Sequence, residues 1–401
     1  MGMGYALPSF ARKYDMDCVS CHAQGAFPRL NDVGFKFRRA GFRLPEDINQ
    51  DQSSEFLLQN YFAMAAQDAF HATFEKDSTA GEWDKSAAFE SGEFDLWPLT
   101  GSLGKNWGTQ GELAISSEGE VELENSNVRF ASGTQNSFFS ARAGVFHALE
   151  GYGASDRPIG LRYPLFMETV ANRNQETLFT MVEPSLFGVA AGYAYGNSNF
   201  DVTLSNSGRT KVKEDELEGT HLMSESNSPS DVQVTFTQIL GENGSGFTAY
   251  YYTGRTRLPK DSDAFIDGTD EALFSDRFHR GALFGTYYPT ERLGILTGIA
   301  LGRNKFFDTV ADAIGGSFND YGAFGEIDYF PQSGLGIGAR YDYYDPATDV
   351  RNTAHGASAF INYTPAKFLQ FIVDYQYLRS ELNPVGQVDS HNVVTRVMFL
   401  Y

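Results

Sequence analysis

From about residue 55 to the C-terminus, apolar and polar positions alternate along the chain with a period of two. In the stretch GLGIGARYDYY, the apolar face is formed by Leu335, Ile337, Ala339, Tyr341 and Tyr343. The stretches KFLQFIVDYQYL and RLGILTGIAL repeat the scheme, each with a single apolar residue on the polar face. Because successive side chains of a β-strand point to opposite faces, the pattern predicts strands with one apolar face.

The connections between the predicted strands alternate between short and long. The short ones lie near residues 195–199, 241–246, 288–292, 330–334 and 363–367. The long ones lie near residues 150–184, 208–229, 258–277, 305–318, 346–353 and 380–389. Outer-membrane barrels have this arrangement, with tight turns at the periplasmic rim and loops at the extracellular rim. Counting back to a first strand near residues 55–74 gives about 16 strands, and barrels of 14 or 18 strands stay open.

The sequence therefore predicts a mainly β fold, an antiparallel outer-membrane β-barrel surrounded by a lipid bilayer. The last strand, HNVVTRVMFLY, ends on an aromatic residue and resembles the C-terminal signal of bacterial outer-membrane proteins. A soluble all-β protein is the alternative, since its strands would alternate too. The opening MGMGYALPSF has neither the charged nor the apolar region of a signal peptide. We expect an exported protein whose leader is not part of this sequence.

Charge divides the chain into two parts. The whole chain has 51 acidic and 31 basic residues and a net charge of −20, which argues against nucleic acid as a partner and favours a cationic one. Up to Leu44, three acidic residues stand against seven basic ones: Arg12, Lys13, Arg29, Lys36, Arg38, Arg39 and Arg43. A basic N-terminal part beside an acidic barrel predicts docking into or against the barrel mouth. Loose tethering through residues 45–55 is the alternative.

Both cysteines of the chain fall in one Cys-x-x-Cys-His sequence, Cys18 to His22. Such a sequence is typical of c-type haem attachment, in which both thiols bond the haem and the histidine ligates its iron. A zinc knuckle would need a second ligand cluster, and a thioredoxin-type dithiol would need α/β sequence downstream. A disulfide across two residues would close a very small loop. We predict one covalently attached haem c on Cys18, Cys21 and His22, with His22 as the proximal iron ligand.

The predicted organisation is a monohaem c-type cytochrome segment at residues 1–46, a linker at 47–54 and a transmembrane porin-like barrel at 55–401. Segments as short as the first rarely fold without a cofactor or a partner. Residues 31–43 are predicted to form a short helix that is capped by Asn31 and ends before Gly41.

The sequence does not identify a sixth ligand of the haem iron. His71 is predicted to face the lumen near the extracellular end, where a structural role is the simpler interpretation. Met16 is too close in sequence to reach across the haem plane, and Met64 shares a lipid-facing side with Phe62 and Phe70.

Residues 6–42 resemble the N-terminal haem segment of the fused monohaem cytochrome–porins of iron-oxidising bacteria. The matching residues are Pro8, Phe10, Ala11, Arg12, Cys18, Cys21, His22, Pro28, Leu30, Gly34, Phe37, Gly41 and Phe42. Beyond this segment the resemblance is architectural only. It implies an outer-membrane protein that takes electrons from extracellular Fe(II) and passes them to a periplasmic c-type cytochrome. Such a protein would act as an Fe(II):cytochrome c oxidoreductase, with the haem segment periplasmic or inside the barrel lumen.

Two other functions stay open at this point. One is a conduit that works outward or uses another electron donor, and the other is a solute porin whose haem-bearing segment is a gate or sensor. Acidic residues are concentrated in segments 208–229 and 258–277, and hard cations prefer such oxygen ligands. The same residues also suit loops that solvate the surface or bind Ca²⁺.

Overall fold

The computed structural model describes residues 7–23, 28–51, 57–77, 83–116, 119, 121–147, 149–167, 185–205, 231–241, 243–259, 273–308, 313–345, 353–382 and 386–401. The α-helices in these ranges are α1 (Pro8–Tyr14) and α2 (Asp32–Arg39). No helix in the described ranges is long and apolar enough to cross a membrane. The strands are β1 (Ala63–Asp77), β2 (Trp83–Trp97), β3 (Gly101–Leu103), β4 (Trp107–Ile115), β5 (Val121–Thr134), β6 (Ser137–His147), β7 (Ser185–Tyr195), β8 (Ser198–Ser205), β9 (Asp231–Leu240), β10 (Ser245–Pro259), β11 (Leu273–Thr290), β12 (Leu293–Asp308), β13 (Ala313–Gln332), β14 (Leu335–Asp345), β15 (Ala354–Ala366), β16 (Leu369–Leu382) and β17 (Gly386–Leu400).

The strands form one closed antiparallel sheet. Apart from β2 and β3, strands that follow each other in the chain are paired, and β1 also pairs with β17, which closes the barrel. Strands β2 and β3 both pair with β4, so they are two parts of one strand. The interruption follows from Pro98, which has no N–H to donate to a ladder. The described strands thus form a sixteen-stranded barrel, which confirms the predicted fold and strand number.

Burial alternates along the strands as the sequence pattern predicts. On β14, Ile337 and Tyr341 are exposed on the outer surface, while Arg340 and Asp342 are buried on the inner one. The outer surface is therefore apolar and the inner surface polar. This is the reverse of a soluble protein and is the distribution that a transmembrane barrel requires.

Two rows of outward aromatic side chains border the apolar surface. The row at the rim with short turns contains Trp107, Tyr195, Tyr287, Tyr329, Tyr363, Phe368 and Tyr401. In the second row, nearer the other rim, the hydroxyls of Tyr251, Tyr341 and Tyr375 lie 2.8 Å from Nδ1 of His279, His355 and His391 respectively. Aromatic girdles of this kind lie at the two interfaces of a bilayer.

All five predicted short connections are confirmed as turns at one rim of the barrel. Three predicted long connections are wrong in extent, and the one around 258–277 is shortened because β10 ends at Pro259 and β11 begins at Leu273. Around 305–318, β12 continues to Asp308 and β13 begins at Ala313, and around 380–389, β16 and β17 leave only residues 383–385 between them. These strands continue because their residues keep pairing beyond the apolar surface. The strand predicted to start near residue 55 begins at Ala63.

The described residues between 7 and 51, called the head below, lie inside the barrel at the rim with short turns. Leu7 and Cys18 pack against the inner faces of β1, β2 and β17. Ala40 and Ile48 pack against β5, β6 and β7, and Phe35 packs against Ile239 of β9. Because these strands surround the lumen, the head occupies its cross-section. The contacts agree with the docking that the charge difference predicts.

Residues 149–167, called the inner segment below, also fold into the lumen. Phe166 is fully buried, with its ring centroid 6.0 Å from that of Phe284 and 5.9 Å from that of Phe324. Inward side chains of the strands satisfy its backbone, since Asn362 donates to the carbonyl of Ile159 at 2.8 Å. The start of the predicted connection 150–184 is therefore packed inside the barrel. The rest of that connection, together with segment 208–229 and the acidic side chains of segment 258–277, lies outside the described residues.

Candidate functional site

Cys18, Cys21 and His22 line a single cavity of about 430 Å³, enclosed jointly by the head, the inner segment and the barrel wall. Its volume is within the usual range for small-molecule and cofactor sites. The head contributes Phe10, Phe37 and Phe42, the inner segment contributes Asp156 and Tyr163, and the barrel contributes Phe368, Leu400 and Tyr401. All three site residues predicted from the sequence are thus brought together.

The local backbone fixes the Cys-x-x-Cys-His sequence as a tight turn. Residues Cys18–Ser20 form one 3₁₀ turn, and the amide of His22 donates to the carbonyl of Cys18 at 3.0 Å. His22 then pairs with Leu30 in an isolated β-bridge, and the amide of Asn31 donates to the carbonyl of Cys21 at 2.9 Å. The motif is therefore held against residues 28–31.

Helix α2 crosses the motif at Gly34. Asn31 caps this helix, because its Oδ1 accepts a hydrogen bond from the amide of Gly34 at 3.0 Å, and the helix ends just before Gly41. The predicted helix and its cap are confirmed. A Cβ atom on Gly34 would lie closer than 3.0 Å to the carbonyl oxygen of Cys21. Only glycine therefore allows the helix to lie this close to the motif.

The imidazole of His22 is oriented by two backbone carbonyls. Its Nδ1 lies 3.2 Å from the oxygen of Pro28 and 3.2 Å from the oxygen of Arg29. Both are acceptors, so Nδ1 carries the proton and Nε2 is the nitrogen able to bind a metal. Burial lowers the pKa of His22 to about 4, so the ring is neutral at pH 7. This is the protonation state that an iron ligand requires.

Burial makes both thiols poorly suited to disulfide exchange in the folded protein. Burial raises the pKa of Cys21 to about 11 and also raises the pKa of Cys18. A redox-active dithiol needs the opposite, a lowered pKa that makes a thiolate available. Neither thiol is in a disulfide.

The residues around the cavity fit one covalent haem c. Two thiols in the required spacing and a histidine with Nε2 as its unprotonated nitrogen form one side. The rings of Phe10 and Phe42 stack with centroids 5.2 Å apart and supply apolar surface. In the described part of the chain, no three His, Cys, Asp or Glu side chains form a metal-binding group.

Buried ion pairs anchor the head to the barrel wall. Arg29 contacts Asp328 and lies 2.6 Å from Glu326, and all three side chains are buried. Burial alone would lower the pKa of Arg29, but Asp328 and Glu326 raise it above its usual value. Arg39 pairs with Asp201 of β8. The basic residues noted in the sequence thus connect the head to two separate parts of the barrel wall.

Asp156 of the inner segment connects these anchors to His22. One carboxylate oxygen accepts a hydrogen bond from the amide of Leu30 at 2.9 Å, and the other lies 3.2 Å from Arg38. Leu30 follows directly after the two carbonyls that orient the His22 ring. Asp156 is therefore positioned to fix the ligand through the backbone of residues 28–30.

His147 is a cavity residue that the sequence does not reveal. It lies at the end of β6 and lines the cavity, with Nε2 3.2 Å from the amide nitrogen of Asn125. In the sequence, His147 is an isolated histidine. Only the closure of the barrel brings it near the Cys-x-x-Cys-His sequence. Met16 also lines the cavity. His71 is not among the cavity-lining residues described.

The fold is similar to that of solved outer-membrane channels. The outer membrane channel DcaP of Acinetobacter baumannii superposes with a TM-score of 0.55 at 11% identity, over 85% of this chain and 96% of that one. The anion-selective porin from Comamonas acidovorans superposes with a TM-score of 0.56 at 10% identity, over 85% and 99%. No protein-family model and no curated protein matches the sequence. At these identities, the similarity shows the fold alone.

Proposed function

We propose that this chain is an outer-membrane electron-transfer protein that carries one haem c on Cys18, Cys21 and His22. The observation that carries the proposal is the shared cavity of these residues, with Nδ1 of His22 directed at two carbonyls. When bound, the haem would supply a one-electron carrier. The sixteen-stranded channel fold and its apolar outer surface support a place in the bacterial outer membrane.

The protein's own groups have three tasks in this proposal. The thiols of Cys18 and Cys21 would hold the haem covalently, and His22 would offer Nε2 because its Nδ1 donates hydrogen bonds to the carbonyls of Pro28 and Arg29. Phe10, Phe42 and the inner segment exclude water from the cavity. The ion pairs of Arg29 with Glu326 and Asp328 keep the head at a fixed place in the barrel.

Covalent haem is tested by producing the protein together with a c-type cytochrome maturation system. We expect a haem signal that survives denaturing electrophoresis and a pyridine haemochrome spectrum of the c type. The double variant Cys18→Ala/Cys21→Ala should lose the signal and keep a heat-modifiable barrel, whereas the control His71→Gln should keep both. Haem that stays bound to the double variant under denaturation would disprove the attachment.

Extracellular Fe(II) is the proposed electron donor, and a periplasmic c-type cytochrome is the proposed acceptor. This part rests on the sequence resemblance of residues 6–42. Adding Fe(II) anaerobically to the oxidised protein should produce the absorption bands of reduced haem. If dithionite reduces the protein fully but Fe(II) does not, the donor is a different one or the electron flow is outward.

A solute channel is the second candidate, and the similarity to solved outer-membrane channels favours it. The two functions predict different ion conductance through the barrel. With the head and the inner segment packed in the lumen, an electron carrier should show low conductance in planar bilayers, and a variant without residues 1–56 should conduct more. High conductance of the full chain, without haem, would favour the channel.

A further inference from the structure

The cavity of the Cys-x-x-Cys-His sequence has an exposed end and a buried end. At the exposed end it is lined by Asp17, Lys367 and Tyr401, which are exposed at the rim with short turns. Lys367 lies 2.6 Å from Asp17, which directly precedes Cys18 in the chain. Cys18 itself packs against β1, β2 and β17. The first cysteine is therefore at the end of the cavity that opens to water.

Arg157 of the inner segment lies at the buried end of the cavity, directly after the buried Asp156. Its Nη2 lies 3.4 Å from Nε2 of His147. His147 is the last residue of β6, and β6 lies four strand positions from β1 along the sheet. At the ordinary spacing between strands, four positions correspond to about 19 Å. Cys18 and Arg157 therefore belong to different ends of the cavity.

Arg157 has an N–H group that no other residue uses. In the described part of the chain, the lysine and arginine residues that line the cavity are Arg12, Arg38, Arg157 and Lys367. Arg12 donates to the carbonyl of Phe62 at 2.7 Å, Arg38 donates to the carbonyl of Gly151 at 2.7 Å, and Lys367 is paired with Asp17. Nη1 of Arg157, by contrast, is buried and has no hydrogen-bond partner among the described residues.

The guanidinium of Arg157 keeps its positive charge at neutral pH. Burial lowers the pKa of Arg157, but Tyr163 and Glu112 raise it. Asp156 and Glu124 act in the same direction, so the pKa lies above its ordinary value. Among the described residues, none of these carboxylates forms an ion pair with Arg157. A charged guanidinium with an unused N–H group can bind one further carboxylate.

We propose that Arg157 binds a propionate of the haem that Cys18 and Cys21 would carry, so that the propionate edge of the porphyrin lies in the buried end of the cavity. This inference rests on the proposed function. In a haem c, the propionates lie on the edge of the porphyrin opposite to the thioether bonds. A guanidinium group matches a carboxylate in geometry and charge. The thioether edge then lies at the rim with short turns, which is the periplasmic rim of an outer-membrane barrel. A periplasmic electron acceptor would approach the haem from this edge.

The first test uses the full-length protein with its haem in detergent and variants that remove one positive charge from either end of the cavity. Arg157→Gln should shift the resonance Raman bending band of a propionate, because the frequency of this band depends on the hydrogen bonds of the carboxylate. It should also favour ferric haem by about tenfold, or about 59 mV, because the carboxylate loses its cation. Arg157→Lys keeps the charge and should recover most of the potential. The control Lys367→Gln should leave the band unchanged and the reduction equilibrium within about twofold, because its charge is exposed to water.

A second test uses the unaltered protein and does not depend on the folding of variants. A water-soluble carbodiimide together with a small amine converts accessible carboxyl groups into amides, and mass spectrometry of the haem peptide counts the modified propionates. At least one propionate should resist the reagent in the folded protein and react after denaturation.

Reaction of both propionates in the folded protein would overturn the proposal. Equal changes of the Raman band and of the potential in Arg157→Gln and Lys367→Gln would overturn it too, as would a parental band and potential in Arg157→Gln. These outcomes leave covalent haem in place and so leave the proposed function standing. A parent protein without covalent haem after maturation would instead refute the proposed function, and this inference with it.

Discussion

Arg29 donates a hydrogen bond of 2.6 Å to Glu326, which follows 297 positions later in the chain, and both side chains are 2% exposed. The pair fixes the head to the inner face of β13, directly beside the carbonyl of Arg29 that orients His22. One buried ion pair thus links the barrel wall to the candidate iron ligand.

Replacing Arg29 with Leu should release the head. The change leaves Glu326 and Asp328 buried without their cation, and breaking such a pair costs about 3–5 kcal/mol. Hydrogen exchange of residues 28–40 should become much faster. The control Lys36→Gln, which removes an exposed charge bonded to Asn197, should have little effect. Adding Glu326→Gln and Asp328→Asn to the Leu variant should restore part of the protection. No recovery in this triple variant would argue against the ion pair as the cause.

Replacing Gly34 with Ala should disturb the Cys-x-x-Cys-His turn. The new Cβ would collide with the carbonyl oxygen of Cys21, and overpacking of this kind costs about 1–3 kcal/mol. We expect faster proteolysis of the head with unchanged heat-modifiability of the barrel. Gly325→Ala is the matched control, because its Cβ would meet no atom within 4 Å. Equal proteolysis of both variants would contradict the close approach of α2.

Glu150 should make the attachment of the inner segment sensitive to acid. Burial raises the pKa of Glu150, but Arg129 and Arg142, at 2.7 and 2.6 Å, lower it well below its ordinary value. The carboxyl binds its proton more readily when the inner segment is detached. The stabilisation is therefore complete above the ordinary pKa of about 4.3 and is lost as the pH falls further.

Hydrogen exchange of residues 149–156, corrected for the intrinsic rate at each pH, checks this expectation. Protection should be constant from pH 7 to pH 5 and should decline below about pH 4. Glu150→Gln should show reduced protection at pH 7, whereas Glu46→Gln, which changes a residue of the head, should not. Loss of protection already near pH 6 would assign the effect to another group.

High salt should not detach the head. Its ion pairs from Arg29 to Glu326 and Asp328 are buried, and salt screens buried pairs far less than exposed ones. Proteolysis rates in 50 mM and 1 M sodium chloride should therefore be similar, while the triple variant Arg38→Gln/Arg39→Gln/Arg43→Gln is cleaved faster at both. If the parent protein were cleaved rapidly only in high salt, the ion pairs of the head would be exposed to water rather than buried.

The parts that the sequence predicted are those in which neighbouring residues specify the structure. The alternation of apolar and polar residues identifies the strands, Asn31 identifies the start of α2, and Gly41 identifies its end. Each of these signals comes from residues that are close together in the sequence. Cys18, Cys21 and His22 were found for the same reason. The extents of β12 and β16 were underestimated, since a strand that continues into water no longer needs an apolar face.

The parts that could not be predicted depend on barrel closure. Glu326 is an unremarkable acidic residue of a strand until closure places it against Arg29. The inner segment has no periodic pattern, and its packing on Phe284 and Phe324 depends on strands more than a hundred residues later. His147 reaches the cavity for the same reason. Such residues are brought together by topology alone.

The enclosure of the motif sets an order for the maturation of the protein. His22 is 7% exposed, and the walls around it come from residues as far along the chain as Lys367 and Tyr401. An attachment enzyme that must hold both the polypeptide and a porphyrin has no access once those walls are complete. Under the proposed function, thioether formation therefore precedes closure of the barrel. The unfolded chain would visit the maturation machinery in the periplasm first and the barrel-inserting machinery second.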